Sequence, residues 1–339
     1  MCITINKVHA QDKFSGQWFM GFQHQEEEDY NQFLLKRAYI SYEKQITPWL
    51  SGRITPDITI DKEGADKGNV ELRLKYLYAK FDLPDFAFFK DNNIKAGLTH
   101  RPWIGYEQNI NRYRAQGSMF LERAGVINST DFGLHFNSNL GDKYESTEYI
   151  SACPGQYGNM LLGVYNGGGY HALEENKNKT LEWRFTFRPF PEKFGGLLTT
   201  YHGAWGNGNS VFNNLFRLQG WHLGYEHKYF VLSGQYYTGK GSYDDRLISL
   251  LENNSIDHHG YSLFGEFREP GTGLGAWVRY DAQYLDYAND YTEERLIVSA
   301  VWHFHKKNKL ILSYDKLLEG LSEIPSTIWE VTLDIRFSK

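Results

Sequence analysis

The chain closes on "WEVTLDIRFSK", in which Trp329, Val331, Leu333, Ile335 and Phe337 share one parity and Glu330, Thr332, Asp334 and Arg336 the other. Successive side chains of a strand point to opposite faces, so this segment predicts a strand with one apolar and one charged face. The same period runs along nearly the whole chain, and helical spacing is scarce. It predicts strands near 15–24, 33–43, 49–60, 70–82, 93–101, 131–140, 158–166, 180–188, 195–205, 215–226, 229–240, 258–268, 273–285, 292–305, 309–316 and 326–337, about sixteen in all. Each approaches the roughly 9–11 residues with which a tilted strand crosses a bilayer, and so many are hard to fit into a two-sheet sandwich.

Parity decides which face meets what. Leu72, Leu74, Tyr76 and Tyr78 oppose Glu71, Arg73 and Lys75. Leu181, Trp183, Phe185 and Phe187 oppose Glu182, Arg184, Thr186 and Arg188. Leu296, Val298, Ala300, Trp302 and Phe304 oppose Arg295, Ser299 and His303, with Ile297 and Val301 blurring the polar side, and Leu274, Ala276, Val278, Tyr280 and Tyr284 oppose Arg279, Asp281 and Gln283. A charge at the lipid midplane costs roughly 2–4 kcal/mol, which pins each register with its charges inward. Tyr76, Tyr78, Trp183, Tyr284, Trp302, Trp329 and Phe337 flank the apolar faces as ring-and-tip residues do at a headgroup boundary. The expected fold class is therefore all-β, a transmembrane antiparallel barrel of about sixteen strands.

Connections alternate in length. Tight links such as 43–48, 188–196, 227–229, 269–273 and 305–309 carry the residues of hairpin turns. Longer ones, "IDKEGADKGN", "GDKYESTEYISACPGQY", "YHALEENKNK", "TGKGSYDDRLISLLENNSID" and "LLEGLSEIPS", are read as loops of the opposite end. No composition shift divides residues 11–339, which read as one barrel domain. Residues 1–10, "MCITINKVHA", fit the tail of an export signal with small residues before Gln11, and an ordinary disordered terminus fits them as well.

Composition changes this picture little. Mean hydropathy is −0.55, no stretch reaches the length of a transmembrane helix, and a half-apolar barrel averages out as hydrophilic. A net charge of −5 argues against a nucleic-acid partner. Cys2 and Cys153 have no metal or redox neighbours, and Cys153 reads as an unpaired thiol. No nucleophile elbow, phosphate-cradling glycine loop or His-Glu-x-x-His motif is present, so neither an enzyme nor a cofactor is expected; His303 and His305 share a face without a third metal ligand.

With parity fixed, the inward cations are Arg37, Arg53, Arg73, Lys75, Lys95, Arg101, Arg184, Arg188, Arg217, Arg279 and Arg336, and the inward acids Glu43, Asp57, Glu71, Glu182, Glu266, Asp281, Glu330 and Asp334. Arginine forks suit the oxygens of small anions, whereas paired acids would make bridges along the wall. One segment, residues 102–130, is too long for a turn and lacks a strand period. It carries Arg112, Arg114 and Arg123, and a segment of this length is expected to fold into the barrel and narrow it, with these arginines and Arg101 at the anion path.

Several stretches resemble the phosphate-selective porins O and P of Gram-negative outer membranes: "KRAYISYEKQITPWLSGRITPD", "NIKAGLTHRPWIGYE" followed by "FLERAGV" and "TDFGLHF", then "LLGVYNGGGY" and "LEWRFTFRPF". The likeness covers about 33–190. It implies a sixteen-stranded outer-membrane barrel, a homotrimer, passing small phosphate-like anions through an arginine-lined constriction, with Arg123 matching the family's Glu-Arg pair. The chain departs from the family in its spaced arginines, which have acids close by, and in its acidic balance. A general or sugar-admitting porin, with inward aromatics such as Trp277 as a stacking track, and a barrel whose loops bind a partner without conducting remain open alternatives.

Overall fold

The computed structural model describes residues 12–61, 67–145, 149–170, 172–249, 253–286, 291–319 and 326–339; the export-signal reading of residues 1–10, with Cys2, lies outside them. Sixteen strands form: β1 Lys13–Gln25, β2 Tyr30–Thr47, β3 Leu50–Ile60, β4 Val70–Asp82, β5 Phe89–His100, β6 Thr130–Leu140, β7 Gly158–Tyr165 and β8 Thr180–Phe187. They continue with β9 Leu197–Asn207, β10 Leu215–Glu226, β11 Phe230–Lys240, β12 Asp257–Glu269, β13 Leu274–Leu285, β14 Tyr291–His305, β15 Asn308–Glu319 and β16 Thr327–Ser338. Each pairs antiparallel with its sequence neighbours, and β1 closes the sheet on β16. Closure leaves no backbone edge unpaired, the condition for strands to stand in lipid.

Outward side chains are apolar and exposed, inward ones mostly polar and buried. Along β16, Trp329, Val331 and Phe337 are exposed while Glu330, Thr332 and Asp334 are buried, and β8 and β13 show the same alternation. The expected pattern fails in β4. The β3–β4 register slips between Thr55 and Pro56, so that Tyr76 faces Thr55 and Leu74 faces Pro56, with Lys75 as the extra residue of a bulge. Beyond it the parity reverses: Leu77 is 45% exposed and Tyr78 only 9%. Tyr76 and Tyr78 therefore line the interior rather than the lipid boundary. Lys75 and Lys80 are of opposite parity, and a slip between them is the way for both to avoid lipid. Gly97 accommodates the crowding opposite Tyr78: at a φ of 125° it carries no side chain, and a Cβ would run into the Leu77 carbonyl. A second bulge, between Phe19 and Met20 of β1, leaves Lys36 of β2 unpaired beside Arg37 and turns both inward.

Two further expectations are corrected. Arg217 is not a lumen residue: on β10 the buried parity is Phe216, Leu218, Gly220, His222, Gly224 and Glu226, so Arg217 lies on the outer face, its guanidinium 4.6 Å from the Trp205 ring centre. The segment 141–157, expected among the long loops, joins β6 to β7 at the end that carries the hairpin turns 48–49, 227–229, 270–273 and 306–307.

The slip makes a direct comparison available. In refolding titrations into lipid vesicles, Leu77→Lys is expected to lose about 2–4 kcal/mol, the depth-dependent cost of a lipid-facing cation. Tyr78→Gln, which removes the inward ring beneath Lys95 and beside His100 but puts no charge in lipid, is expected to lose less, about 0.5–1 kcal/mol of it from the cation–ring contact; the reverse order would return β4 to strict alternation.

Candidate functional site: a loop-filled, cation-lined lumen

Residues 101–129 join β5 to β6 and fold into the barrel, carrying two short helices, α1 Ile104–Ile110 and α2 Phe120–Arg123. The inner wall of β9–β15 explains why the segment goes inside. Leu198, Phe216, Leu218, Val231, Phe264, Trp277, Ile297, Val301 and Ile311 point inward and form one apolar cluster with Trp103, Ile104, Ile110, Tyr113, Phe120, Leu121 and Val126 of the loop. Burying each large side chain contributes about 1.5–3 kcal/mol, and no comparable gain exists in water outside. Polar contacts fix the fit. Trp103 stacks on His202 at 3.9 Å, Tyr113 donates to Glu266 at 2.6 Å, Arg279 donates to the Ser118 carbonyl at 2.9 Å, and Gln116 donates to Asp315 at 2.8 Å. Trp277 lies 5.1 Å from the Tyr113 ring and is 3% exposed, so it packs the loop and offers no free stacking face.

The free lumen is left on the side of β2–β6. An open cavity of 1540 Å³ runs from Lys306 and Lys307, in the turn after β14, to Lys75, Arg101 and Arg114 beside the loop. Its wall carries thirteen cationic side chains, Arg53, Lys75, Lys80, Lys95, Arg101, Arg112, Arg114, Arg184, Arg268, Lys306, Lys307, Lys309 and Arg336, against the two carboxylates Glu266 and Glu269.

These cations are of two kinds. Several are held by a carboxylate: Arg101 by Glu182, Arg112 by Glu226 at 2.7 Å, Arg114 by Glu122 at 3.7 Å, and Lys309 and Arg336 by Asp334 at 3.5 and 2.8 Å. Others have neutral partners. Arg53 donates to Thr55 at 3.0 Å and lies 4.8 Å over Tyr76; Lys95 lies 5.0 Å over Tyr78; Lys75 donates to Ser129; Arg184 donates to the Pro102 carbonyl at 3.0 Å and Asn159 at 2.6 Å. Among the described residues none of these four has a carboxylate within ion-pair distance. Lys80, Lys95 and His135 stand directly opposite one another on β4, β5 and β6.

The sequence-derived residues separate accordingly. Arg112 and Arg114 reach the cavity from the loop. Arg123 does not line it; it sits 3.3 Å from Asp281, which also holds Arg279 at 2.7 Å. Arg37 pairs with Asp57 and donates to Tyr170 at 3.0 Å, and Arg73 lies 3.5 Å from Glu71. Arg188 clamps the turn-end segment, donating to the carbonyls of Cys153 and Gly195 at 2.7 Å each and lying 3.7 Å over Tyr144. Sequence reading missed Lys36, which bonds to Glu330 and the Gln116 carbonyl at 2.6 Å each, because only the bulge turns it inward. Among the described residues no group of three or more His, Cys, Asp or Glu side chains could hold a metal ion.

The turn-end segment 141–157 meets the tip of the inner loop. Arg112 donates to Glu226, to the Tyr149 carbonyl at 3.3 Å and to Ser151 at 3.3 Å, while the second Glu226 oxygen accepts the backbone N–H groups of Ser151 at 3.2 Å and Ala152 at 3.0 Å. Arg112 thus joins two inserts that enter the lumen from opposite ends. Cys153 lies fully buried behind this junction, where burial pushes its thiol above the usual range.

No protein-family model matches the chain, and no curated protein matches it. Solved structures do. The OmpF porin of Salmonella typhi, in complex with daunomycin, matches with a TM-score of 0.68 at 12% identity over 98% of this chain and 99% of that one. An anion-selective porin from Comamonas acidovorans matches with a TM-score of 0.61 at 11% identity over 97% and 99%. The outer-membrane protein OmpT of Vibrio cholerae matches with a TM-score of 0.61 at 11% identity over 98% and 99%. The shared property is the sixteen-stranded porin fold.

Two measurements test the loop's anchorage. In a Cys2→Ser background, Cys153 is expected to resist maleimide while the junction holds and to label once Glu226→Ala breaks it; equal labelling of both proteins would deny the junction its role. Burial also pushes the Glu107 carboxyl on α1 up to about 7. A raised acid favours the protonated, docked form, so its stabilising contribution is full below the ordinary value near 4.5 and is lost as pH rises through about 7. The thermal stability of Glu107→Gln relative to the native protein is expected to increase across that window; a constant difference from pH 5 to 8 would contradict it.

Proposed function

We propose that this protein is an outer-membrane channel for passive diffusion of small anions, with its turn end toward the periplasm and its loop end outside. The observation that carries the reading is the lumen wall, whose thirteen cations and two acids belong to a chain that has 36 Lys and Arg against 41 Asp and Glu overall. A low-dielectric wall around a narrowed path amplifies such a field, attracting anions and repelling cations. The selecting groups in this reading are Arg53, Lys75, Lys95 and Arg184, none of which has a carboxylate within ion-pair distance among the described residues, with Arg112 and Arg114 narrowing the path from the loop. Guanidinium and ammonium groups side by side suit oxyanions, and small phosphate-like ions are the proposed cargo, in keeping with the resemblance noted in residues 33–190. The Comamonas neighbour, described as anion-selective, supports the reading, and the Vibrio barrel, known in a trimer form, supports a homotrimer. A sugar track is not favoured, because the inward Trp277 is covered by the loop.

Reversal potentials across a planar bilayer under a salt gradient test this reading. An anion-selective current that added phosphate reduces is expected. Arg53→Gln with Lys95→Gln is expected to weaken anion preference more than Arg112→Gln with Arg123→Gln, since Arg112 and Arg123 are held in ion pairs by Glu226 and Asp281 whereas the first two cations are not. A cation-selective or silent barrel would overturn the proposal.

A further inference from the structure

The outward position of Arg217 points away from the pore. Register places Tyr201, Trp221, Tyr236 and Tyr261 opposite one another on the outer faces of β9–β12. The Tyr201 and Trp221 rings lie 5.9 Å apart and the Trp221 and Tyr236 rings 6.2 Å apart. Such a row of amphipathic rings marks the hydrocarbon boundary. Four residues nearer the loop end, about 13 Å along the strand, a second row aligns Trp205, Arg217, Lys240 and Asp257. This row stands among polar headgroups, where a cation on the outer wall is tolerated and meets lipid phosphate.

We propose that Arg217 and Lys240 form a site on the outer wall for a phosphorylated lipid headgroup. The two cations are directly opposed across β10 and β11, and like charges so placed repel unless an anion lies between them. Lys240 is balanced in part by Asp257 at 2.8 Å. Arg217 has no carboxylate partner among the described residues; one terminal nitrogen donates to the carbonyls of Gly206 and Phe216 at 3.0 Å each, and the guanidinium carbon lies 4.6 Å from the centre of the Trp205 ring. Its Nε–H and its other terminal nitrogen have no partner among the described residues, which leaves N–H groups suited to two phosphate oxygens, with the Lys240 ammonium as a second point of charge. Trp205, 54% exposed, offers its ring to the acyl or sugar portion beneath the phosphate. A lipid is preferred to free phosphate because the site is flanked by exposed apolar rings on the membrane side and lies on the outside of the barrel, away from the ion path.

The test is lipid retention by the folded full-length barrel in a neutral detergent, read by native mass spectrometry during titration with phosphatidic acid, with phosphatidylcholine as the zwitterionic control. Preferential retention of phosphatidic acid is expected, weakened about fivefold for each cation removed in Arg217→Gln and Lys240→Gln. Millimolar inorganic phosphate is expected not to displace the lipid. Equal retention of the two lipids, unchanged retention by the double variant, or displacement by inorganic phosphate alone would each overturn the site. The exposed Lys240→Gln change disturbs no packing and gives the same reading should the Arg217 variant fold poorly.

Discussion

Hydrocarbon does not tolerate an unpaired charge or an open backbone group, and this one exclusion orders the molecule. Closing β1 on β16 satisfies the backbone, while the placement of Lys, Arg, Asp and Glu on one parity fixes the register strand by strand. Where the sequence departs from a two-residue period, the chain gives up regular pairing before it gives up the exclusion. The bulges at Lys75 and Lys36 each cost a place in the ladder, and each keeps a cation inside.

The exclusion acts only on the outer face. The interior is free to be apolar where another segment covers it, and β9–β15 use that freedom to hold the loop. Filling one side leaves the open cavity against β2–β6, so that Arg53, Lys75, Lys80 and Lys95 of those strands line it. Net charge is for this reason a poor guide to the lumen: the balance of −5 averages over loops and outer rims that the path never meets.

The same asymmetry explains what could be read in the residues. All sixteen strands were legible, because alternation over about ten residues is a strong signal that neighbours reinforce. Ile297 and Val301 blurred the polar face of their strand, and that blur was the imprint of the docked loop, unintelligible until the loop's own apolar residues lay against it. Arg217 was misassigned by treating its charge as decisive. Its neighbours Phe216 and Leu218 occupy the inner parity because they too pack in the lumen, and near the loop end an outward arginine no longer faces hydrocarbon. The bulge at Lys75 was implied by the odd spacing of Lys75 and Lys80, whereas the inward turn of 141–157 was not visible, since its contacts are with the distant Arg112, Arg188 and Glu226.

Arginine count and arginine function also separate. The loop arginines that sequence made prominent bring carboxylates with them: Arg112 meets Glu226, Arg114 meets Glu122 and Arg123 meets Asp281. In each pair the field is largely cancelled a few ångströms away, and the gain is positional, holding the loop to the wall. The opposed Lys80 and Lys95 differ: Lys80 pairs with Asp82 of its own strand at 2.5 Å and Lys95 lies 5.0 Å over the Tyr78 ring, yet two ammonium groups set opposite one another still cost about 0.2–1 kcal/mol relative to a neutral pair. A barrel wall has no structural need for such a pair. Facing open lumen beside Arg53, it makes physical sense as a fixed positive field, so the informative cations are the ones whose presence packing does not explain.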